Sequence, residues 1–219
     1  MKIQYKYQKF QADAARAVVD VFAGQPFKRT SYLMDTGRRT LQQGLRLSSV
    51  DAGGDQQPDY ISDRLAPIGW SNYPIVPELT KERILANLNR VQIGNQIKPS
   101  ARLEGLEDGC FNLTVEMETG VGKTYTYIKT MYELNKAYGW SKFIVIVPSV
   151  AIREGVYKSF QMTEEHFAQE YGKKIRFFIY KSSQLSEVQH FAQNDTINVM
   201  IINSQAFNAK GKDARRIFM

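Results

Sequence analysis

Apolar residues form two patterns along the chain: the spacing typical of amphipathic helices and the continuous runs typical of buried strands. Between Phe10 and Phe22 they recur at helical spacing, which predicts an amphipathic helix that ends before Gly24. The same spacing predicts a helix from Thr80 to Gln96, and the Thr80 hydroxyl is suited to cap its first turn. Two helices are therefore predicted in the first half of the chain.

The second half of the chain alternates predicted strands with predicted helices. Strands are predicted at Lys142–Val147, Ile175–Tyr180 and Ile197–Ile202, preceded by a β-rich run, Phe111–Met117. Continuous apolar runs of this kind are typical of parallel strands covered on both faces. Helices are predicted at Tyr125–Tyr138 and, capped by Ser149, at Val150–Phe160. This alternation predicts a doubly wound α/β fold.

Between about residues 30 and 77 the chain is rich in Gly, Ser, Asp, Gln and Pro. This composition predicts a long insertion with little regular structure, or with a short hairpin of its own. Loops of this length are usually functional or partly mobile. Its aromatic residues Trp70 and Tyr73 either stack on bases or, as is commoner for such residues, anchor the loop on the domain surface.

Composition favours a cytoplasmic protein. Hydrophobic content of 43% and charged content of 23% are ordinary for soluble domains. No apolar run approaches the ~20 residues of a membrane span, and the N-terminus lacks the apolar core of a signal peptide. The one cysteine, Cys110, excludes an internal disulfide and a cysteine-based zinc site. We expect no membrane association.

The net charge of +7 favours a polyanionic partner such as nucleic acid. The basic residues are dispersed along the chain, however, and an indifferent basic surface explains the charge equally well. The charge therefore only supports other arguments.

A glycine-rich loop between the β-rich run and a predicted helix carries the clearest chemistry. It consists of Thr119, Gly120, Val121, Gly122, Lys123 and Thr124. The two glycines allow the backbone to turn its N–H groups inward around phosphate oxygens, and the helix adds its positive N-terminal dipole. Lys123 is placed to reach the β- and γ-phosphates, and the Thr124 hydroxyl to bind Mg²⁺. The loop predicts binding of ATP with Mg²⁺.

The loop departs from the general phosphate-loop pattern at Met117, which occupies the position of the first glycine. A loop without this glycine is typical of superfamily-2 helicases and translocases. The alternative is an ordinary strand–turn–helix junction with a chance Gly-Lys-Thr sequence.

Residues 10–14, 117–124 and 143–155 closely resemble the Res (restriction) subunit of type III restriction–modification enzymes. The run from Pro148 to Gly155 is the part most specific to that family, and the resemblance covers most of the chain outside the insertion. It implies a RecA-like, mainly parallel sheet, the first motor domain of a superfamily-2 enzyme, with a long insertion before the phosphate-loop strand.

The resemblance implies that Gln11 reads the adenine edge. A glutamine amide offers one acceptor and two donors, which match adenine N6 and N7. Gln8 is a competing candidate, and a solvent-facing glutamine at the start of a helix is the alternative.

The resemblance also places Pro148, Ser149 and Arg153 in a motif that contacts the backbone of a nucleic-acid strand. Hydroxyl and backbone N–H groups at a helix start are suited to phosphate. Ser204, directly after the last predicted strand, lies where a further strand-contacting motif is expected. The alternatives are an exposed helix residue for Arg153 and an ordinary β–α loop around Ser204.

The chain lacks the acidic Asp-Glu pair that holds Mg²⁺ and activates water, and it lacks a nuclease motif. We therefore assign no catalytic residue. The predicted segments are residues 1–29 with the adenine-reading helix, 30–110 with the insertion and connecting helix, and 111–219 with an incomplete motor domain. We expect the 219-residue chain alone to bind ATP weakly or not at all, not to turn it over, and to expose apolar sheet edges.

The function implied by the resemblance is that of the N-terminal part of an ATP-dependent subunit that translocates along and cleaves double-stranded DNA. Its partner is a methyltransferase (Mod) subunit. One alternative is a different superfamily-2 DNA helicase or translocase. Another is a non-catalytic module that docks a partner through the insertion.

Overall fold

The computed structural model describes residues 5–33, 69–105, 112–181 and 185–207 of the 219-residue chain. In these ranges the first two helices are separated in the chain by two short strands, and helices then alternate with strands as the sequence predicts.

Helices α1 (Lys9–Val21) and α2 (Lys81–Gly94) pack against each other, and both lie where the apolar spacing predicts them. The Thr80 hydroxyl accepts a hydrogen bond from the Arg83 amide at 3.4 Å, which confirms the predicted cap. From α2, the buried Asn87 side chain donates to the Val21 carbonyl at 3.1 Å. This polar contact fixes the end of α1 against α2.

A parallel three-stranded sheet forms the centre of the second half. Strands β3 (Lys142–Val147), β4 (Arg176–Ile179) and β5 (Asn198–Asn203) lie in the order β3-β5-β4. Lys142 pairs with Asn198 in one ladder, and Arg176 pairs with the same residue in the other. The predicted strands and their parallel arrangement are confirmed.

Helices cover this sheet on both faces, which confirms the doubly wound α/β fold. Helix α3 (Lys123–Tyr138) and helix α4 (Val150–Tyr171) pack on one face, around the fully buried Val199 and Ile201. Helix α5 (Leu185–Gln193) packs on the other face, against Met200 and Ile202. The short helix α6 (Ser204–Phe207) follows β5 directly.

Helix α4 is longer than predicted, because it continues past Phe160 to Tyr171. Its buried side chains include Phe160, Thr163 and Phe167, which continue the same helix face towards α3 and the sheet. The threonine hydroxyl bonds the Ser159 carbonyl at 2.8 Å, so a polar residue within this apolar stripe is satisfied locally.

The predicted strand Phe111–Met117 is wrong over its described part. Phe111 lies outside the described residues, and Asn112 forms only an isolated antiparallel bridge with Glu104. Residues 113–118 have no regular structure. A β-rich sequence becomes a strand only where neighbouring backbone groups pair with it, and within the described ranges no strand lies alongside this run. Leu113 instead packs into the apolar cluster between α1, α2 and α3.

The ends of the predicted insertion meet in a small antiparallel ladder. Strand β1 (Ser31–Leu33) pairs with β2 (Gly69–Ser71), and residues 34–68 lie outside the described part. Beyond β2, the Tyr73 hydroxyl accepts a hydrogen bond from Lys28 Nζ at 2.8 Å. The Tyr73 carbonyl also accepts one from Trp140 Nε1 at 2.9 Å. Tyr73 thus anchors the loop, as the commoner of the two alternatives predicts.

The division into residues 1–29, 30–110 and 111–219 stays a prediction, although the three segments share a core. Val21 of α1, Ile84 of α2 and Leu134 of α3 belong to one apolar cluster. In the described ranges the phosphate loop is therefore attached to a helical layer and to a sheet, through α3.

Strand β3 forms one edge of the described sheet, and two of its apolar side chains are exposed. Ile144 is 40% exposed and Ile146 is 48% exposed, since α5 covers β4 and β5 but not this face of β3. This agrees with the expectation of exposed apolar edges. Among the described helices, none has the length and apolar character needed to cross a membrane.

Candidate nucleotide-binding site

The glycine-rich loop adopts a conformation that its two glycines require. Gly120 has φ +83° and Gly122 has φ +87°, both in the left-handed region that side chains rarely adopt. Gly122 is also the N-cap of α3. The backbone thus turns sharply twice before the helix begins, as a loop that wraps around a phosphate must.

The start of α3 supplies backbone donors that have no acceptor within the helix. The Thr126 amide donates the first backbone hydrogen bond of the helix, to the Gly122 carbonyl at 2.9 Å. The amides of Lys123, Thr124 and Tyr125 precede it, and the first amides of a helix have no acceptor within the helix. Together with the helix dipole, these N–H groups form an anion-binding end.

The Lys123 side chain folds back across the loop. Its Nζ donates to the Glu118 carbonyl at 2.7 Å, so the side chain reaches back to the residue that precedes the loop. This contact joins the two ends of the loop, and a phosphate oxygen bound there would replace the carbonyl. Flexible glycines, free helix-start amides and a lysine together fit a triphosphate, and the Thr124 hydroxyl in the first turn is a suitable oxygen ligand for Mg²⁺.

Gln11, which lies 110 residues earlier in the chain than Val121, contacts this loop. Its Nε2 donates to the Val121 carbonyl at 2.8 Å, and the side chain is partly buried. A Cβ on Gly122 would lie 2.6 Å from the same nitrogen, so the glutamine and the loop are in close contact. The alternative of a solvent-facing Gln11 is wrong. The competing Gln8 is an exposed N-cap of α1 whose side chain makes no capping bond.

Sequence reasoning missed an aromatic cluster beside the loop. The Tyr125 hydroxyl and His166 Nε2 lie 2.8 Å apart, and the Tyr5 ring stacks on the Tyr125 ring with a centroid distance of 5.6 Å. Burial, and then the charge of Glu170, raises the pKa of Tyr125 to about 12, so its hydroxyl stays protonated at neutral pH. Nothing in the sequence spacing of Tyr5, Tyr125 and His166 indicates that they meet.

A second missed contact joins α3 to α4. The buried Lys129 forms an ion pair with Glu170, and His166 lies 3.5 Å from the same carboxylate. The Tyr171 hydroxyl donates to Glu133 at 2.6 Å. Burial and this carboxylate raise the pKa of Tyr171. The helix that carries the loop is thus held rigidly on α4. In the described ranges, no cluster of three or more His, Cys, Asp or Glu side chains suits a metal ion.

The predicted DNA-contacting residues lie at the carboxyl ends of two adjacent strands. Val147 pairs with Asn203, so Pro148 and Ser204 begin the next segments at the same edge of the sheet. Ser149 is exposed, and its hydroxyl accepts from the Ile152 amide at 3.3 Å as the cap of α4. The capping prediction is confirmed.

Arg153 does not lie free on the surface. Its side chain is 16% exposed, its Nη2 donates to Glu154 at 2.9 Å, and its Nε is buried without a partner among the described residues. The alternative of an exposed helix residue is wrong. The guanidinium is instead engaged by the neighbouring carboxylate.

An open groove of about 850 Å³ lies between α1, α2 and the segment that leads into the loop. Its lining is mainly apolar and includes Phe10, Leu113, Val115 and Met117, with Val121 of the loop at one side. The groove therefore adjoins the loop and is separate from the proposed contacts of Lys123 and Thr124.

Comparison with known families decides among the superfamily-2 alternatives. A family model described as "Type III restriction enzyme, res subunit" matches residues 82–217, more than half of the chain. The chain belongs to the type III restriction enzyme Res subunit family. This confirms the resemblance, and the α/β architecture with its parallel sheet agrees with the RecA-like, P-loop NTPase fold of the family's domain. A different superfamily-2 helicase is set aside.

Curated relatives carry the same family name. The chain is 33% identical over 150 residues to the Res subunit of the type III restriction–modification enzyme EcoP15I of Escherichia coli, covering 61% of the chain and 15% of that protein. It is 35% identical over 133 residues to the EcoPI Res subunit of Escherichia phage P1, covering 58% and 13%. It is 37% identical over 117 residues to the StyLTI Res subunit of Salmonella typhimurium, strain LT2, covering 45% of the chain and 12% of that protein. The chain thus spans about an eighth of the length of these relatives.

Proposed function

We propose that this chain binds ATP with Mg²⁺ at residues 119–124 and supplies the nucleotide-binding part of an ATP-dependent DNA-translocating and DNA-cleaving Res subunit. The observation that carries the proposal is the bond from Lys123 back to the Glu118 carbonyl, with Gln11 bonded to the same loop. An ordinary strand–turn–helix junction requires neither of these two contacts.

Each loop residue has a separate task in this proposal. The helix-start amides and Lys123 bind the β- and γ-phosphates, and Lys123 exchanges the Glu118 carbonyl for a phosphate oxygen. The Thr124 hydroxyl ligates Mg²⁺, which neutralises phosphate charge when it is bound. Thr119 and Val121 shape the loop through their backbone. We expect the gain from charged hydrogen bonds to exceed the loss of the neutral carbonyl contact.

Gln11 links the nucleotide base to the phosphates. Its Nε2 carries two hydrogens, so the bond to the Val121 carbonyl leaves one N–H for the edge of adenine. A purine that accepts a hydrogen bond from the Gln11 amide also changes the contact of that amide with the Val121 carbonyl. We propose that adenine recognition and loop conformation are coupled through this one side chain.

The carboxyl edge of the sheet is the proposed contact for double-stranded DNA. Pro148 and Ser149 are exposed there, and Ser204 begins α6 beside them. The relatives are named as Res subunits of restriction–modification enzymes, which supports a methyltransferase (Mod) subunit as the partner. We also expect a cytoplasmic location. A docking role for the insertion involves residues 34–68, which lie outside the described residues.

Nucleotide titration tests the binding proposal. We expect weak binding of a fluorescent ATP analogue to the 219-residue chain, strengthened by Mg²⁺, lost in Lys123→Ala, and without steady phosphate release. Thr124→Ala is expected to retain Mg²⁺-free binding and to lose the Mg²⁺ effect. Equal binding by wild type and Lys123→Ala would contradict the proposal. Phosphate release that depends on Lys123 would contradict the expectation that the chain alone is inactive.

A further inference from the structure

The Tyr127 hydroxyl on α3 is a buried polar group without a hydrogen-bond partner among the described residues. Its ring packs against Phe160 of α4, with ring centroids 6.5 Å apart. A buried hydroxyl that makes no hydrogen bond is costly, because it loses water and gains nothing in return. An unpaired group of this kind in a native fold requires an explanation.

The position of Tyr127 on the helix directs this hydroxyl towards Thr124. Side chains three residues apart share one face of a helix, and long side chains point back towards the N-terminus. The two side chains are therefore neighbours on one face of α3, although the Tyr127 hydroxyl has no hydrogen-bond partner among the described residues. Burial raises the pKa of Tyr127, and the Thr124 hydroxyl lowers it.

Other threonines of α3 show why Thr124 needs a side-chain partner. The Thr126 hydroxyl donates to the Gly122 carbonyl at 3.2 Å, and the Thr130 hydroxyl donates to the Thr126 carbonyl at 2.9 Å. Each uses the carbonyl four residues earlier. For Thr124 that residue is Gly120, which lies two residues before the N-cap Gly122 and so outside the helical turn. The α3 backbone therefore offers Thr124 no helical carbonyl one turn earlier, and a side chain on the same helix face is the available partner.

We propose that Tyr127 is a positioning residue for Thr124: its oxygen accepts the hydrogen of the Thr124 hydroxyl and turns a lone pair of Oγ1 towards Mg²⁺. A hydroxyl that ligates a cation directs its hydrogen away from the metal, so it needs an acceptor on its far side. The packing of Tyr127 against Phe160 fixes that acceptor. This inference rests on the proposed nucleotide binding and assigns a further residue to the same site.

The test is the Mg²⁺ dependence of ATP binding by Tyr127→Phe. Removal of one hydrogen bond to the metal-ligating hydroxyl is expected to raise the Mg²⁺ concentration for half-maximal effect about two- to tenfold. Mg²⁺-free nucleotide binding stays as in wild type. The melting temperature stays equal or rises, because the variant removes a buried unpaired oxygen.

A matched control is available on the same helix. The Tyr138 hydroxyl donates to the Val19 carbonyl at 2.8 Å at the far end of α3. Tyr138→Phe is therefore expected to lower the melting temperature and to leave the Mg²⁺ dependence unchanged. The two Tyr→Phe variants thus show opposite patterns if Tyr127 acts on the metal site.

A double variant tests whether Tyr127 acts through Thr124, and wild-type binding tests the proposed nucleotide site separately. In the Thr124→Ala background, Tyr127→Phe is expected to have no further effect on Mg²⁺ dependence, because the hydroxyl that it positions is gone. An unchanged Mg²⁺ requirement in Tyr127→Phe, with wild type binding normally, would overturn the role of Tyr127 alone. A loss of Mg²⁺-free binding in Tyr127→Phe as large as the loss of Mg²⁺-dependent binding would also overturn that role. If wild type binds no nucleotide at any Mg²⁺ concentration, the proposed function fails, and this inference fails with it.

Discussion

The phosphate loop and the carboxyl edge of the sheet differ in how they use their polar groups. In the loop, the helix-start amides have no acceptor within α3, and Lys123 donates to a backbone carbonyl. At the edge, the Ser149 hydroxyl already caps α4, and Arg153 already pairs with Glu154 through Nη2. One region presents helix-start donors without an acceptor in the helix, and the other engages Ser149 and part of the Arg153 guanidinium internally.

This difference indicates how ready each region is for a phosphate. Groups that are already aligned and unpaired gain the full interaction on binding, because little reorganisation is needed. If the edge contacts DNA as proposed, the phosphates compete with the cap and with the ion pair before they gain a contact. We therefore expect the loop to be the stronger anion site of this chain, and the edge to depend on rearrangement.

The largest expected effect comes from Gly122→Ala. Its φ of +87° strains any side chain, and the new Cβ would lie 2.6 Å from Gln11 Nε2. We expect a loss of about 1–3 kcal/mol in the free energy of unfolding and the loss of detectable nucleotide binding. Thermal melts and titration with a fluorescent ATP analogue measure both.

Gly120→Ala is the matched control for Gly122→Ala. Its φ of +83° is nearly the same, but a Cβ there has no atom within 4 Å. The strain is therefore shared, while the collision with Gln11 is specific to Gly122. If both variants lose equal stability, the close packing of Gln11 against Gly122 does not contribute to the loss.

The apolar pattern predicted most of the fold because burial follows local periodicity. The continuous run at β5 is covered on both faces, the run at β3 is covered on one face, and the stripe of α1 faces α2 and α3. The same reasoning failed at residues 112–117, where the sequence has β propensity but no neighbouring strand to pair with. Propensity is local, whereas pairing depends on what the rest of the chain places alongside.

The candidate site was predictable only where its residues are adjacent in sequence. The glycines, Lys123 and Thr124 form one motif, and the resemblance supplied Gln11. The contacts of Tyr5 and His166 with Tyr125 depend on how α1 and α4 pack around α3, which no spacing shows. The engagement of Arg153 by Glu154 is also a matter of rotamer and burial, although the residues are neighbours.

The second prediction concerns the long-range contact of the loop. Gln11→Ala removes the bond to the Val121 carbonyl and the proposed adenine contact. We expect ATP binding to weaken about tenfold, which corresponds to one or two hydrogen bonds. Binding of inorganic triphosphate is expected to weaken less, because it has no base.

Gln8→Ala is the control for Gln11→Ala, since Gln8 is exposed and its side chain makes no capping bond. We expect it to bind ATP as wild type does. An equal loss of ATP binding in both variants would show that the helix start as a whole, and not the Gln11 amide, supports the site. The same result would revive Gln8 as the adenine-reading residue.

The smallest expected effect is at the carboxyl edge, where Glu154→Gln releases Arg153 from its ion pair. The Glu154 side chain is 55% exposed, so the ion pair contributes little to stability. We expect the free energy of unfolding to change by less than about 0.5 kcal/mol. A freed guanidinium and the loss of one negative charge should strengthen duplex DNA binding about two- to threefold at low salt. Fluorescence anisotropy with a labelled duplex measures this.

Glu78→Gln is the control, because it changes the net charge equally at an exposed position distant in sequence from the edge. If both variants strengthen binding to the same extent, charge alone is responsible, and the internal pairing of Arg153 does not limit the contact with DNA.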